Sequence, residues 1–140
     1  MLRQRKRKHG DNMINGFYMN GDWWSVCWTN PTNPILVDRT NVLTCAVTDP
    51  DTMTIYLSNK LHGEFLTRVV LHELSHAMMY SYHYLDEIHR YCKKRYWIEM
   101  EELIANLIAQ QAKEIFQRAY DIVGDEAIRF VPYMLEQFVA

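Results

Sequence analysis

Residues 72–76 read His-Glu-Leu-Ser-His, and this pentapeptide constrains the fold more than any other part of the chain. On an α-helix, side chains four apart share a face, roughly 5–6 Å apart at Cβ. Two imidazoles at that spacing can converge on one metal ion, each at roughly 2.0–2.1 Å. Glu73 follows the first histidine directly. From there its carboxylate reaches a water beside the metal without joining the ligand set, which is the placement a general base needs. The alternative is a pair of ordinary helical histidines, and the surrounding pattern weighs against it. Phe65, Val69, His72 and His76 follow one face at 3–4 spacing, while Leu66, Val70 and Leu74 widen the apolar surface. A helix that is apolar nearly all round belongs in the interior. Buried imidazoles need partners for their polar nitrogens, and a metal supplies one. The expected helix covers 61–80, with Glu64 in its first turn, where the helix dipole favours an anion.

Upstream, residues 13–58 read as strands. Trp23, Trp24, Val26, Cys27 and Trp28 are β-formers behind the turn signal Asn20-Gly21. Residues 29–34 hold two prolines and two asparagines and read as a loop. Short strands are expected at 42–47 and 53–57, joined by the hairpin turn Asp49-Pro50-Asp51-Thr52. The four tryptophans are expected to pack in the core rather than to form a stacking platform for sugars or bases. Downstream, residues 80–97 are aromatic and basic, and read as a helix-to-helix connection with a solvated basic face. A substrate-cleft wall and a nucleic-acid patch are the sharper alternatives. A second helix is expected over 97–120, with Gly124 as its breaker. A third, over 125–138, carries Pro132 and is expected to kink or begin late.

The charge balance narrows the function. With 15 basic and 17 acidic side chains the net charge is −2, so the molecule as a whole is no electrostatic nucleic-acid binder. Residues 1–12, with Arg3, Arg5, Lys6, Arg7 and Lys8, are expected to be a disordered basic tail that makes at most weak contact with nucleic acid. Residues 13–140 are expected to form one domain. Cys27, Cys45 and Cys92 are too few and too scattered for a disulfide framework. Their odd number suits reduced thiols in the cytoplasm. No apolar segment follows the basic stretch as in a signal peptide, and none approaches membrane-spanning length, so no membrane contact is expected.

A catalytic zinc takes three protein ligands and leaves a position for water, so a third ligand is needed. Glu99, Glu101 and Glu102 cluster at the start of the second helix. Spacing does not separate Glu99 from Glu102, which share a face. Glu101 points about 100° away from Glu102. Ala105, Ala109 and Ala112 form a small-residue strip after Glu102 that would let the two helices approach closely.

Residues 102–106, Glu-Leu-Ile-Ala-Asn, have the form E-x-x-A-N. Following H-E-x-x-H, this resembles the gluzincin peptidases, and most closely the small ImmA/IrrE-type metallopeptidases of bacteria, phages and mobile elements. The resemblance covers about residues 42–112. It implies His72, His76 and Glu102 as ligands of Zn2+, Glu73 as general base, and Asn106 as the residue that orients the first histidine. Ser75 stands where the family often has Gly or Ala. Gln110 and Gln111 interrupt the apolar run expected after Asn106. The implied fold is α+β and zincin-like: a short, mostly antiparallel sheet packed on the H-E-x-x-H helix, with the glutamate helix crossing it. The implied activity is zinc-dependent hydrolysis of peptide bonds in a protein or peptide substrate inside the cell. Tyr80, His83, Tyr84 and His89 stay open as oxyanion donors. A rival metal set of His83, His89 and Cys92 offers soft ligands without regular spacing. Two rival functions stand beside the peptidase: a DNA-associated regulatory or binding module with a structural zinc, and a catalytically silent scaffold.

Overall fold

The structure, a computed structural model, describes residues 14–129. The expected basic tail at 1–12 and the expected helix beyond residue 129, with Pro132, lie outside the described residues. The chain divides into two compact units, Met1–Ala109 and Gln110–Ala140. The first is α+β, with four strands and three helices, the last of which runs on into the second unit.

Strands β1 (Gly16–Met19) and β2 (Asp22–Thr29) form an antiparallel hairpin. Its two-residue loop is Asn20-Gly21, with φ of 49° and 83°. Positive φ at both positions matches the twist of the strands, and Asn-Gly tolerates it. Strands β3 (Ala46–Asp49) and β4 (Thr54–Ser58) form a second antiparallel hairpin. Asp49 closes its turn, accepting from the Asp51 amide at 2.9 Å and the Thr52 hydroxyl at 3.0 Å. The two hairpins join through a parallel pairing of β2 with β4, in the order β1-β2-β4-β3. The sheet is therefore mixed, with one parallel junction among the antiparallel ones expected. Strand β3 also begins later than the hydrophobic run 42–47 suggests. Leu43 bridges Val37, and Thr44 gives both its amide and its hydroxyl to the Leu36 carbonyl. Those residues are committed to another partner before the sheet begins.

Helix α1 (Gly63–Ser81) packs on the sheet. Its first turn is exposed, Phe65 included; burial begins at Val69. Trp24, Ala46, Ile55, Leu57, Leu61, Val69 and Ala77 form the core between sheet and helix. Each large aliphatic side chain removed from water there contributes about 1.5–3 kcal/mol. Trp24 is fully buried and donates from Nε1 to Ser81 Oγ at 2.8 Å. The Asn20 amide donates to the Ser81 carbonyl at 2.8 Å, so the β1–β2 turn caps the end of α1. Trp28 and Trp97 are only partly buried and Trp23 is exposed, so the expected packing of all four tryptophans holds fully for Trp24 alone.

Helix α2 (Tyr84–Tyr91) occupies part of the segment expected as a connection. It turns Ile88 inward against Met79 and Ala105, with Leu85 and Cys92 beside it. Helix α3 (Trp97–Val123) ends at Gly124, whose φ of 65° lies in a backbone region glycine enters freely. Residues 124–128 form a short 3-10 turn where the third helix was expected to start. No helix among the described residues is long and apolar enough to cross a membrane.

Candidate metal centre

His72 and His76 lie one turn apart on α1, with ring centroids 4.8 Å apart. Their Nε2 atoms face each other at 3.1 Å. Glu102 reaches in from α3. Its Oε2 is 3.2 Å from His72 Nε2, and its Oε1 is 3.4 Å from His76 Nε2. Ala105, small and fully buried, packs with Met79 of α1 beside this group. Ser75, the other small residue here, satisfies its hydroxyl on the Leu71 carbonyl at 2.7 Å.

Two imidazole nitrogens and a carboxylate aimed at one point repel each other unless a cation lies between them. Four ligands placed tetrahedrally at roughly 2.0–2.1 Å from zinc stand about 3.3 Å from one another. The distances of 3.1, 3.2 and 3.4 Å match that edge. The donor types match too, since imidazole and carboxylate are both zinc ligands. Without a metal the cluster attracts a proton instead. Burial lowers the pKa of His76, but hydrogen bonds to Glu101 and Glu102 outweigh it and hold the imidazole up at about 9. Glu102 is driven far below the ordinary carboxylate range by its hydrogen bonds to His72 and His76.

Glu73 lies beside this group and outside it. Among the described residues, the donors that converge within 4.8 Å are those of His72, His76 and Glu102. Glu73 is buried, and burial raises its pKa against the opposing hydrogen bond from Thr48 on β3. A carboxylate raised in this way holds a proton more readily near neutral pH. No protein-family profile, curated protein or solved structure matches this chain.

The other sequence candidates fall as follows. Glu99 is exposed at the start of α3. Glu101 is buried and lies behind His76: its Oε1 is 2.9 Å from Nδ1, the nitrogen facing away from Glu102. Asn106 is exposed and makes no hydrogen bond to either histidine among the described residues. His83 is exposed near Asp86, and His89 stacks on Trp97 at 3.8 Å, so neither joins Cys92 in a ligand set. Tyr80 packs edge-on against Trp24. Two residues went unnoticed in the sequence. Thr48 bonds Glu73, and Arg39 bonds Glu101 at 2.7 Å and Glu102 at 3.2 Å. Neither has a local signal, because each acts on a partner 25 or more positions away.

Proposed function

We propose that this chain is a zinc-dependent peptidase, a small zincin-fold gluzincin of the ImmA/IrrE kind. The observation that carries the reading is the convergence of His72, His76 and Glu102 on one point, with a buried glutamate next to it and not in it. When bound, zinc supplies Lewis acidity toward a peptide carbonyl and acidifies water. His72, His76 and Glu102 would hold it. Glu73 takes the proton of the attacking water and passes it to the leaving amine. Thr48 restrains the Glu73 carboxylate, and burial keeps bulk water from competing for it. An apolar cavity of about 420 Å³ is lined by Met78, Met79, Ile88, Met100 and Ile104 among others, the first two on α1 after His76. It suits an apolar side chain of the substrate. By the family resemblance alone, that substrate is an intracellular regulatory protein of a phage or mobile element.

The test is Glu73→Gln assayed on a broad peptide library. The variant should keep fold and zinc and lose on the order of 10²-fold or more in rate, because the general base is gone. Cleavage at the parent rate would refute the mechanism. A library that neither protein cleaves would favour the silent scaffold.

One observation favours a second reading, a DNA-associated module with a structural zinc. Lys93, Lys94 and Arg95 are exposed and have no ion-pair partner among the described residues. Lys94 sits over Trp97 and Arg95 over Tyr96, at 5.9 and 4.7 Å from the ring centroids. DNA binding that falls steeply with salt would support that reading.

A further inference from the structure

Glu101 takes no part in the ligand set, yet it is more buried than Glu102, with side-chain exposures of 11% and 40%. We propose that Glu101 is a positioning residue for the metal centre, and that Arg39 is the residue that aims it. The proposal rests on the zinc reading above.

An imidazole has two nitrogens, and the partner of one decides what the other offers. Glu101 Oε1 lies 2.9 Å from His76 Nδ1 and accepts a hydrogen bond from its N–H. The lone pair then falls on Nε2, the nitrogen that faces His72 and Glu102. A glutamate carboxylate has freedom to rotate away from such a contact. Here its second oxygen is held by Arg39 Nη1 at 2.7 Å, so both oxygens are fixed. The same guanidinium reaches Glu102 Oε1 at 3.2 Å and spaces the two carboxylates.

Arg39 is itself delivered by a built turn. Asp38 Oδ1 accepts from the Thr40 amide at 2.8 Å, the Thr40 hydroxyl at 2.6 Å and the Val42 amide at 3.2 Å. Asn41 takes the left-handed conformation, at φ 65°, that lets the chain reverse. The Val37–Leu43 bridge closes the base of the turn. These local bonds hold the turn without help from Arg39, whose side chain is free to span to α3. His76 is thereby fixed at both nitrogens, whereas no hydrogen bond reaches His72 Nδ1 among the described residues. The arrangement makes His76 the anchor of the pair.

The test uses the full chain as parent, Glu101→Ala, Glu101→Gln and Arg39→Ala. Zinc affinity is read by chelator competition, and the geometry by the visible spectrum of the cobalt-substituted protein. Glu101→Ala should bind zinc about 10–100-fold more weakly and shift the cobalt bands. Glu101→Gln keeps one oxygen that can accept from Nδ1–H but turns its NH2 toward the Arg39 donor, so it should recover only part of that loss. Arg39→Ala should move affinity and bands in the same direction as Glu101→Ala. It lies on an exposed turn and carries the test if Glu101→Ala does not fold. Folded variants that bind zinc as tightly as the parent, with unshifted bands, would overturn the proposal while leaving the zinc reading intact. A parent that takes up no zinc would overturn the zinc reading, and this proposal with it.

Discussion

His72 and His76 differ from His83 and His89 in their surroundings, not in their chemistry. The first pair is largely buried, with side-chain exposures of 21% and 11%, and faces two carboxylates. In the second pair, His83 is 76% exposed and 3.6 Å from Asp86, and His89 lies flat on Trp97. Both pairs stand near other metal-capable side chains in the sequence. Only the first has its Nε2 atoms brought to one point and one outer nitrogen held by a buried acceptor. A histidine becomes a candidate ligand when the fold fixes its direction and gives its other nitrogen a partner.

The largest expected effect separates the two pairs. Replacing His72 and His76 together by Ala should abolish zinc binding, since two of three ligands go. Replacing His83 and His89 should leave the zinc content of purified protein near one equivalent. Loss of zinc in the second variant would collapse the contrast. The next effect sharpens the choice among the glutamates. Glu102→Ala should lower zinc affinity by more than Glu101→Ala does, and Glu99→Ala should barely change it. A chelator titration that ranks Glu99 first would reassign the ligand.

A smaller effect is graded with pH. In the metal-free protein burial pulls His76 down, yet Glu101 and Glu102 hold it at about 9, against an ordinary value of 6.5. Its proton therefore stabilises the metal-free fold fully below pH 6.5, and that contribution is lost as pH rises through about 9. Zinc must displace the same proton. Affinity should then rise by up to about tenfold per pH unit toward pH 9 and level off above it. A flat or falling profile between pH 6 and 9 would show that no such proton is released.

Local signals carried much of this fold. Asn20-Gly21, the Asp49 turn, the apolar periodicity of α1 and the stop at Gly124 can each be read from a few neighbouring residues. Helix α2 was also legible, through Leu85, Ile88 and Cys92 at 3–4 spacing, but the basic and aromatic residues around it pointed to a connection. The parallel β2–β4 junction was not legible. It depends on how the chain returns after residues 30–53, which no local pattern encodes. The site divides in the same way. His72, Glu73 and His76 stood out by spacing, and Glu102 through the E-x-x-A-N form that follows them. Glu101 points about 100° away from Glu102 on the helix; spacing says nothing of its contact with the far side of the His76 imidazole. Arg39 and Thr48 come from the turn and sheet, and only tertiary structure brings them in.

The central claim is one zinc ion held by His72, His76 and Glu102, with Glu73 beside it. X-ray absorption at the zinc edge of protein purified without chelator tests it most directly. The account predicts one zinc per chain in a shell of nitrogen and oxygen at about 2.0–2.2 Å, with scattering from two imidazoles, and the same shell in Glu73→Gln. A sulfur ligand at about 2.3 Å, a shell that changes in Glu73→Gln, or no zinc at all would contradict it.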